Sequence, residues 1–213
     1  MDYTPIHHIP LIQDDKLFKM NSDTTALMLG MKIKPHETVL DVGTNHGVLL
    51  LEASTYQPSW MVGIDINELA IEVAYKNMSL NNISNVTLLC ADVTTHQFDH
   101  KFDVIISNPP FFSESTHTYS QTPSKQLAKF TSSLTIESLL LVIKKNLNPQ
   151  GRAYIVFRSA ALASFFMEAS KQKLSITNIQ GVNDNRIEHY KSCVITIEHG
   201  SSKSLVLSKP LQL

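Results

Sequence analysis

From residue 38 onward the chain alternates short, almost unbroken apolar runs with longer stretches whose apolar residues recur every three or four positions. The short runs, "TVLDV" (38–42), "WMVGIDI" (60–66), "NVTLLCAD" (85–92), "FDVIIS" (102–107) and "RAYIVF" (152–157), are rich in β-branched residues and read as buried strands. The longer stretches predict helices over 46–56, 67–81, 134–147 and 159–172, with Asn67 and Ser159 as amino-terminal caps. The turn residues of "NPQG" (148–151) should stop the third of these helices. Two further strands, near 174–180 and 192–199, complete the pattern.

Strands alternating with helices predict an α/β fold: a mostly parallel sheet of seven strands with helices on both faces. Ahead of it, residues 1–34 read as a short extension with one helix over 22–31, capped by Ser22 or Asn21. Residues 35–213 form the expected main domain. The polar stretch 113–126 is long for a connection, so it is expected to be either mobile or functional.

Composition narrows the class. At 213 residues and 43% hydrophobic, the chain can close one sizeable core. No apolar run approaches the ~18 residues of a membrane span, and the amino terminus lacks the basic-then-apolar order of a signal peptide, so a cytoplasmic location is expected. Cys90 and Cys193 both lie in apolar runs and are expected to be buried free thiols. No metal and no membrane partner are expected. The formal net charge of −1 supplies no global attraction for nucleic acid. Local basic clusters exist, at Lys16, Lys19, Lys32 and Lys34 and again from Lys144 to Lys173, and they are expected to gather around the reactive pocket.

Ligands of open α/β sheets bind beyond the carboxyl ends of the strands, so the residues there carry the chemistry. Strand one ends in "DVGTNHG" (41–47), strand two in Asp65 and Ile66, strand three in Asp92 and Val93, and strand four in "SNPPFF" (107–112). Gly43 and Gly47, with Asn45 between them and Thr44 beside it, permit the tight backbone that a close-fitting ligand needs. A phosphate would be repelled by Asp41, whereas an amine would be welcome. Asp65 suits ribose hydroxyls and Asp92 the exocyclic amine of an adenine. A ligand with an amine, a ribose, an adenine and no phosphate describes S-adenosylmethionine.

On these residues the chain resembles class I S-adenosylmethionine-dependent methyltransferases with a Rossmann-like fold, over essentially its whole length. "VLDVGTNHG" matches the first motif with Asn45 where glycine is commoner, "GIDI" the ribose motif, "CADV" the adenine motif, and "NPPF" the motif of enzymes that methylate planar amino nitrogens. Together with "LFKMNSDTTALMLG" (17–30) and "NLNPQGRAYIVFR" (146–158), these segments are similar to the bacterial tRNA1(Val) (adenine(37)-N6)-methyltransferase family. The resemblance implies an antiparallel last strand, and places Lys19, Ser22 and Asp23 near the cofactor. It implies tRNA as partner; methylation of a DNA adenine is possible in chemistry but not expected, because no stretch is large enough for a separate sequence-reading domain. Relatives often carry an Arg-His-Glu cluster where this chain reads "KFTSS" (129–133), of which only Lys129 is basic.

In such an enzyme Asn108 and the Pro109 carbonyl would accept the hydrogens of the target amine, and Phe111 would stack on the base. Phe18, Met20, Leu27 and Met28 are expected to be core residues. Alternatives are methylation of a release-factor glutamine or of a ribosomal RNA guanine N2, or a catalytically silent RNA-interaction module that binds the cofactor.

Overall fold

The computed structural model describes residues 1–109, 134–183, 189–200 and 203–213. The elements in chain order are β1 (Asp2–Tyr3), β2 (Pro10–Leu11), α1 (Ser22–Gly30), β3 (Thr38–Val42), α2 (Val48–Ser54), β4 (Trp60–Asp65), α3 (Glu68–Leu80), β5 (Val86–Cys90) and β6 (Phe102–Ser107). They continue as α4 (Ile136–Asn146), β7 (Leu147–Arg158), α5 (Leu162–Lys171), β8 (Leu174–Asn183), β9 (Ser192–His199), β10 (Val206–Leu207) and β11 (Leu211–Gln212).

The sheet runs β10-β8-β9-β7-β6-β3-β4-β5, with β11 also on β8. β9 is antiparallel to both its neighbours, while β3 to β7 pair in parallel. The seven expected strands are therefore present as β3 to β9. Two short strands at the carboxyl end, β10 and β11, extend the count beyond seven by pairing in parallel with β8.

Period-two burial divides the core. Val39, Val104, Ile106, Tyr154, Val156 and Val194 point to one face, where α1, α2 and α3 cover them through residues such as Leu27, Leu50 and Ala74. Leu40, Phe102, Ile105, Ile155 and Ile195 point to the other, under Leu140 and Ile143 of α4 and Phe165 of α5. No helix among the described residues is long and apolar enough to cross a membrane.

Several boundaries differ from expectation for local reasons. The "NPQG" turn does not separate helix from strand, because β7 begins at Leu147 and absorbs residues 148–151 as an irregularity opposite Phe102 and Val104. Gly151 makes this possible: a Cβ there would lie 2.8 Å from the Asp103 carbonyl oxygen. Ser159 is not a helix cap. Its N–H donates to the Lys191 carbonyl at 2.9 Å, so it still belongs to the sheet margin, and residues Ser159–Ala161 form a 3₁₀ turn before α5. α1 is capped by Asn21, whose side chain accepts the Thr24 N–H in a reciprocal capping box. Cys193 is buried as expected, with its thiol pushed up to about 11 by burial, but Cys90 ends the edge strand β5 and is exposed.

Candidate active site

The order of the sheet reverses direction at β3 and β6, since β4 and β5 lie to one side of this pair and β7 to the other. Such a switch point opens a crevice at the carboxyl ends of the strands. A cavity of about 540 Å³ lies there, within the range that holds a cofactor-sized ligand. The Ser107 hydroxyl donates to the Val42 carbonyl at 2.8 Å and ties the two central strand ends together beneath it.

The turn after β3 has three residues in the left-handed region: Gly43 (φ 75°), Asn45 (φ 49°) and Gly47 (φ 74°). The conformation is held from β4, because the N–H groups of Gly43 and Thr44 both donate to the Ile64 carbonyl, at 2.9 and 3.1 Å. Asp65 completes the bracket. Its Oδ2 accepts the Asn45 N–H and its Oδ1 the Asn67 N–H, each at 2.9 Å. Burial raises the Asp65 carboxyl above the usual range against the opposing pull of these N–H groups.

Asp41 lies deeper than the sequence suggested. It is fully buried and is not among the residues lining the cavity; its Oδ2 accepts the Thr44 hydroxyl at 2.7 Å, and its Oδ1 has no partner among the described residues. Burial, reinforced by the nearby Asp65 and only partly offset by Thr44, pushes its carboxyl up to about 7.

The chain ahead of α1 forms one wall. Asn81 Nδ2 donates to the Pro10 carbonyl, Asn77 exchanges hydrogen bonds with both backbone groups of Ile12, and His46 Nε2 accepts the Asp14 N–H at 3.0 Å. Asn45 Nδ2 then donates to the Phe18 carbonyl at 2.6 Å. These four side chains, from α3, its carboxyl-terminal cap and the β3 turn, lay residues 10–18 along the crevice, and Leu17 to Asn21 border the cavity. Phe18 is thereby a wall residue, 63% exposed, and not core; Leu27 and Met28 are buried as expected, and Met20 is half-buried at the rim.

Of the residues singled out from the sequence, Lys19, Gly43, Thr44, Asn45, Asp65, Ile66, Asp92, Val93, Asn108 and Pro109 line the cavity. Gly47 sits behind it, where a Cβ would meet the Met78 Cε at 2.9 Å and the Ala74 Cβ at 3.3 Å, so its smallness serves helix packing. Ser22 and Asp23 are not in the wall; Asp23 Oδ1 instead accepts the Ser192 hydroxyl at 2.7 Å and anchors α1 to β9. Asp92 Oδ1 accepts both the N–H and the hydroxyl of Thr94, which steadies it at the rim. Phe111, Lys129 and the 113–126 stretch lie outside the described residues.

The wall also contains residues that the sequence did not single out for the site: Asn21, Thr24, His46 and Arg158. A capping-box pattern, Asn21 with Thr24 three residues on, was the one available signal for the first two. The basic residues do not gather as expected. Among the described residues only Lys19 and Arg158 of them border the cavity; Lys19 pairs with Asp15, Arg152 with Glu37 and Lys171 with Glu168.

The residues fit S-adenosylmethionine on two observations. A Cβ built on Gly43 would meet nothing within 4 Å among the described residues, which leaves room for a ligand beside the backbone there. Behind the lining, the buried Asp41 Oδ1 has no partner among the described residues. Asp65 and Asp92 supply carboxylates at adjacent strand ends.

A family model described as "Methyltransferase small domain" matches residues 18–181. The chain is 27% identical to a protein from Shewanella woodyi named tRNA1(Val) (adenine(37)-N6)-methyltransferase, covering 89% of this chain and 81% of that one. A Vibrio vulnificus protein of the same name is 32% identical, over 72% of this chain and 65% of its own. Among solved structures, a ribosomal protein L11 methylase from Lactobacillus delbrueckii subsp. bulgaricus superposes with TM-score 0.66 at 22% identity, covering 94% and 91% of the two chains. TrmN from Thermus thermophilus superposes with TM-score 0.63 at 21% identity, over 84% of this chain and 50% of that one. The strand-end constellation and the matched family model agree, and the chain belongs to the methyltransferase small domain family as an S-adenosylmethionine-dependent methyltransferase.

Proposed function

We propose that this enzyme methylates the exocyclic N6 of an adenine exposed in RNA, with the adenine at position 37 of a valine tRNA as the target. The observation that carries the reading is Asn108 and Pro109 at the end of β6, bordering the same cavity as Gly43, Asp65 and Asp92. The names of the curated relatives point to the same substrate.

The cofactor supplies an electrophilic methyl group. An adenine amine is a weak nucleophile because its lone pair is delocalised into the ring. The Asn108 side-chain oxygen and the Pro109 carbonyl are neutral acceptors at one strand end, and together they take both amine hydrogens. That favours the pyramidal nitrogen that attacks, and an acceptor fixed beforehand adds no reorganisation to the barrier. Proline at 109 stiffens the corner by locking φ. Gly43, Asn45, Asp65 and Asp92 would hold the cofactor, and the proton shed by the methylated nitrogen passes to water at the open mouth. Phe111 is assigned by the resemblance to stacking on the base, which is worth ~1–3 kcal/mol.

The test is methyl incorporation from labelled S-adenosylmethionine into total tRNA of a strain lacking this protein, followed by nucleoside analysis. N6-methyladenosine formed by the wild type and not by Asn108→Ala supports the reading. Cofactor binding without incorporation overturns the tRNA assignment and directs the same assay to release factors and ribosomal RNA.

A further inference from the structure

The polarity of the Asn108 amide is dictated from the start of α1. Asn108 Nδ2 lies 3.1 Å from the Thr24 Oγ1, across 84 residues of sequence. A hydroxyl can donate once and accept twice, so this contact alone leaves the amide free to present either its NH₂ or its oxygen to Thr24. The next contact removes the freedom. Asn21 caps α1, and its Oδ1 accepts the Thr24 backbone N–H at 3.1 Å, which identifies that atom as an oxygen. The Thr24 hydroxyl donates its single proton to the same oxygen at 3.2 Å, while its own oxygen accepts the Asn21 backbone N–H at 3.5 Å. What Thr24 then offers Asn108 is a lone pair, and only the Asn108 NH₂ can face it. The remaining fork of that planar amide, Oδ1, is the acceptor left for a substrate amine.

The geometry points to Thr24, set by Asn21, as a positioning residue that fixes the Asn108 carboxamide with its oxygen turned to the amine being methylated. This rests on the proposed use of Asn108 as the amine acceptor. Were the Thr24 proton directed at Asn108 instead, the amide would turn its NH₂ toward the substrate, and two donors would face each other. The relay is preorganised: Thr24 is 8% exposed, and the helix that carries it is packed through Ala26, Leu27 and Met28 and bonded to β9 through Asp23 and Ser192.

Two measurements test it. With an unmodified valine tRNA transcript, Thr24→Val, which keeps the shape and removes the hydroxyl, lowers kcat about 10- to 100-fold while KM and the cofactor Kd stay within about twofold. Thr24→Ser restores most of the rate. An inactive Asn108→Ala beside a fully active Thr24→Val overturns the relay and leaves the proposed function standing. An Asn108→Ala of unchanged kcat overturns both. The second measurement needs no substrate: the Asn108 side-chain NH₂ resonance, assigned by its loss in Asn108→Ala, shows slowed proton exchange in the wild type and fast exchange in Thr24→Val. Equal exchange in the two proteins overturns the relay whatever RNA the enzyme uses.

Discussion

Asp65 Oδ2 accepts the backbone N–H of Asn45 at 2.9 Å, so a side chain at the end of β4 holds the left-handed turn that follows β3. Its Oδ1 does the same for Asn67. In Asp65→Asn one of the two N–H groups must face an NH₂. An unsatisfied donor of this kind costs about 1–3 kcal/mol, so S-adenosylmethionine affinity should fall about 10- to 100-fold by calorimetry, with the far-ultraviolet circular dichroism unchanged. Unaltered affinity would remove Asp65 from the binding site.

The two glycines of the turn should separate under substitution. Both have positive φ, which costs an alanine about 1–2 kcal/mol. A methyl at Gly43 enters open space at the cavity, so Gly43→Ala should weaken cofactor binding far more than it lowers the melting temperature. A methyl at Gly47 meets Met78 and Ala74, so Gly47→Ala should destabilise the fold by about 2–4 kcal/mol. Equal losses of affinity per degree of melting temperature in the two variants would contradict this division.

Asp41 should tie stability to pH. Its carboxyl is pushed up to about 7 in the folded protein, against about 3.9 when unfolded. Between those values the folded state holds a proton that the unfolded chain has released. Stability contributed by this group is therefore present at low pH and lost as pH rises toward 7. Asp41→Asn carries no charge, and its Oδ1 can still accept the Thr44 hydroxyl. The variant should melt with the wild type near pH 4 and increasingly above it up to pH 8, in melting scans without cofactor. A difference independent of pH would show an ordinary carboxyl.

At the amino ends of the strands, away from the cavity, Arg152 makes a two-pronged pair with Glu37, at 2.8 Å on each oxygen. Burial raises the Glu37 carboxyl, but the Arg152 hydrogen bonds and the Lys34 N–H outweigh it and the net shift is downward. Glu37→Gln should lower stability by about 1–3 kcal/mol in urea titrations at pH 7 and leave cofactor affinity unchanged. In the wild type this contribution is present above the ordinary glutamate range and fades as pH falls below about 4.

The strand-end residues were legible because strand period and length fix where a strand must stop, and in a parallel sheet all those ends share one edge. That is how Asp65, Asp92 and Asn108 could be placed together from sequence. Depth was not legible. Asp41 and Val42 are adjacent in one strand end, yet only Val42 borders the cavity, a distinction set by how the turn folds over the sheet. Phe18 departs from the rule that an apolar residue near a short helix is core, because Asn45 Nδ2 donates to its carbonyl and His46 Nε2 accepts the Asp14 N–H, which lays this segment along the crevice. Ser159 carries the chemistry of a helix cap, but a sheet neighbour, Lys191, claimed its N–H. For Phe18 and Ser159 a partner distant in sequence decided the outcome.

The wall formed by Leu17 to Asn21 also bears on how the enzyme is made. The segment from Ile12 to Thr24 is made before the groups that secure it: Asn45 for Phe18 and His46 for Asp14, then Asn77 for Ile12, then Asn108 for Thr24, and last Ser192 for Asp23. Contacts across 84 and 169 residues carry a high entropic cost of closure and form slowly. A growing chain therefore acquires the Gly43 turn and the Asp65 carboxylate well before it can close the crevice around a cofactor. Synthesis must reach β9 before this earlier segment has the anchors described here.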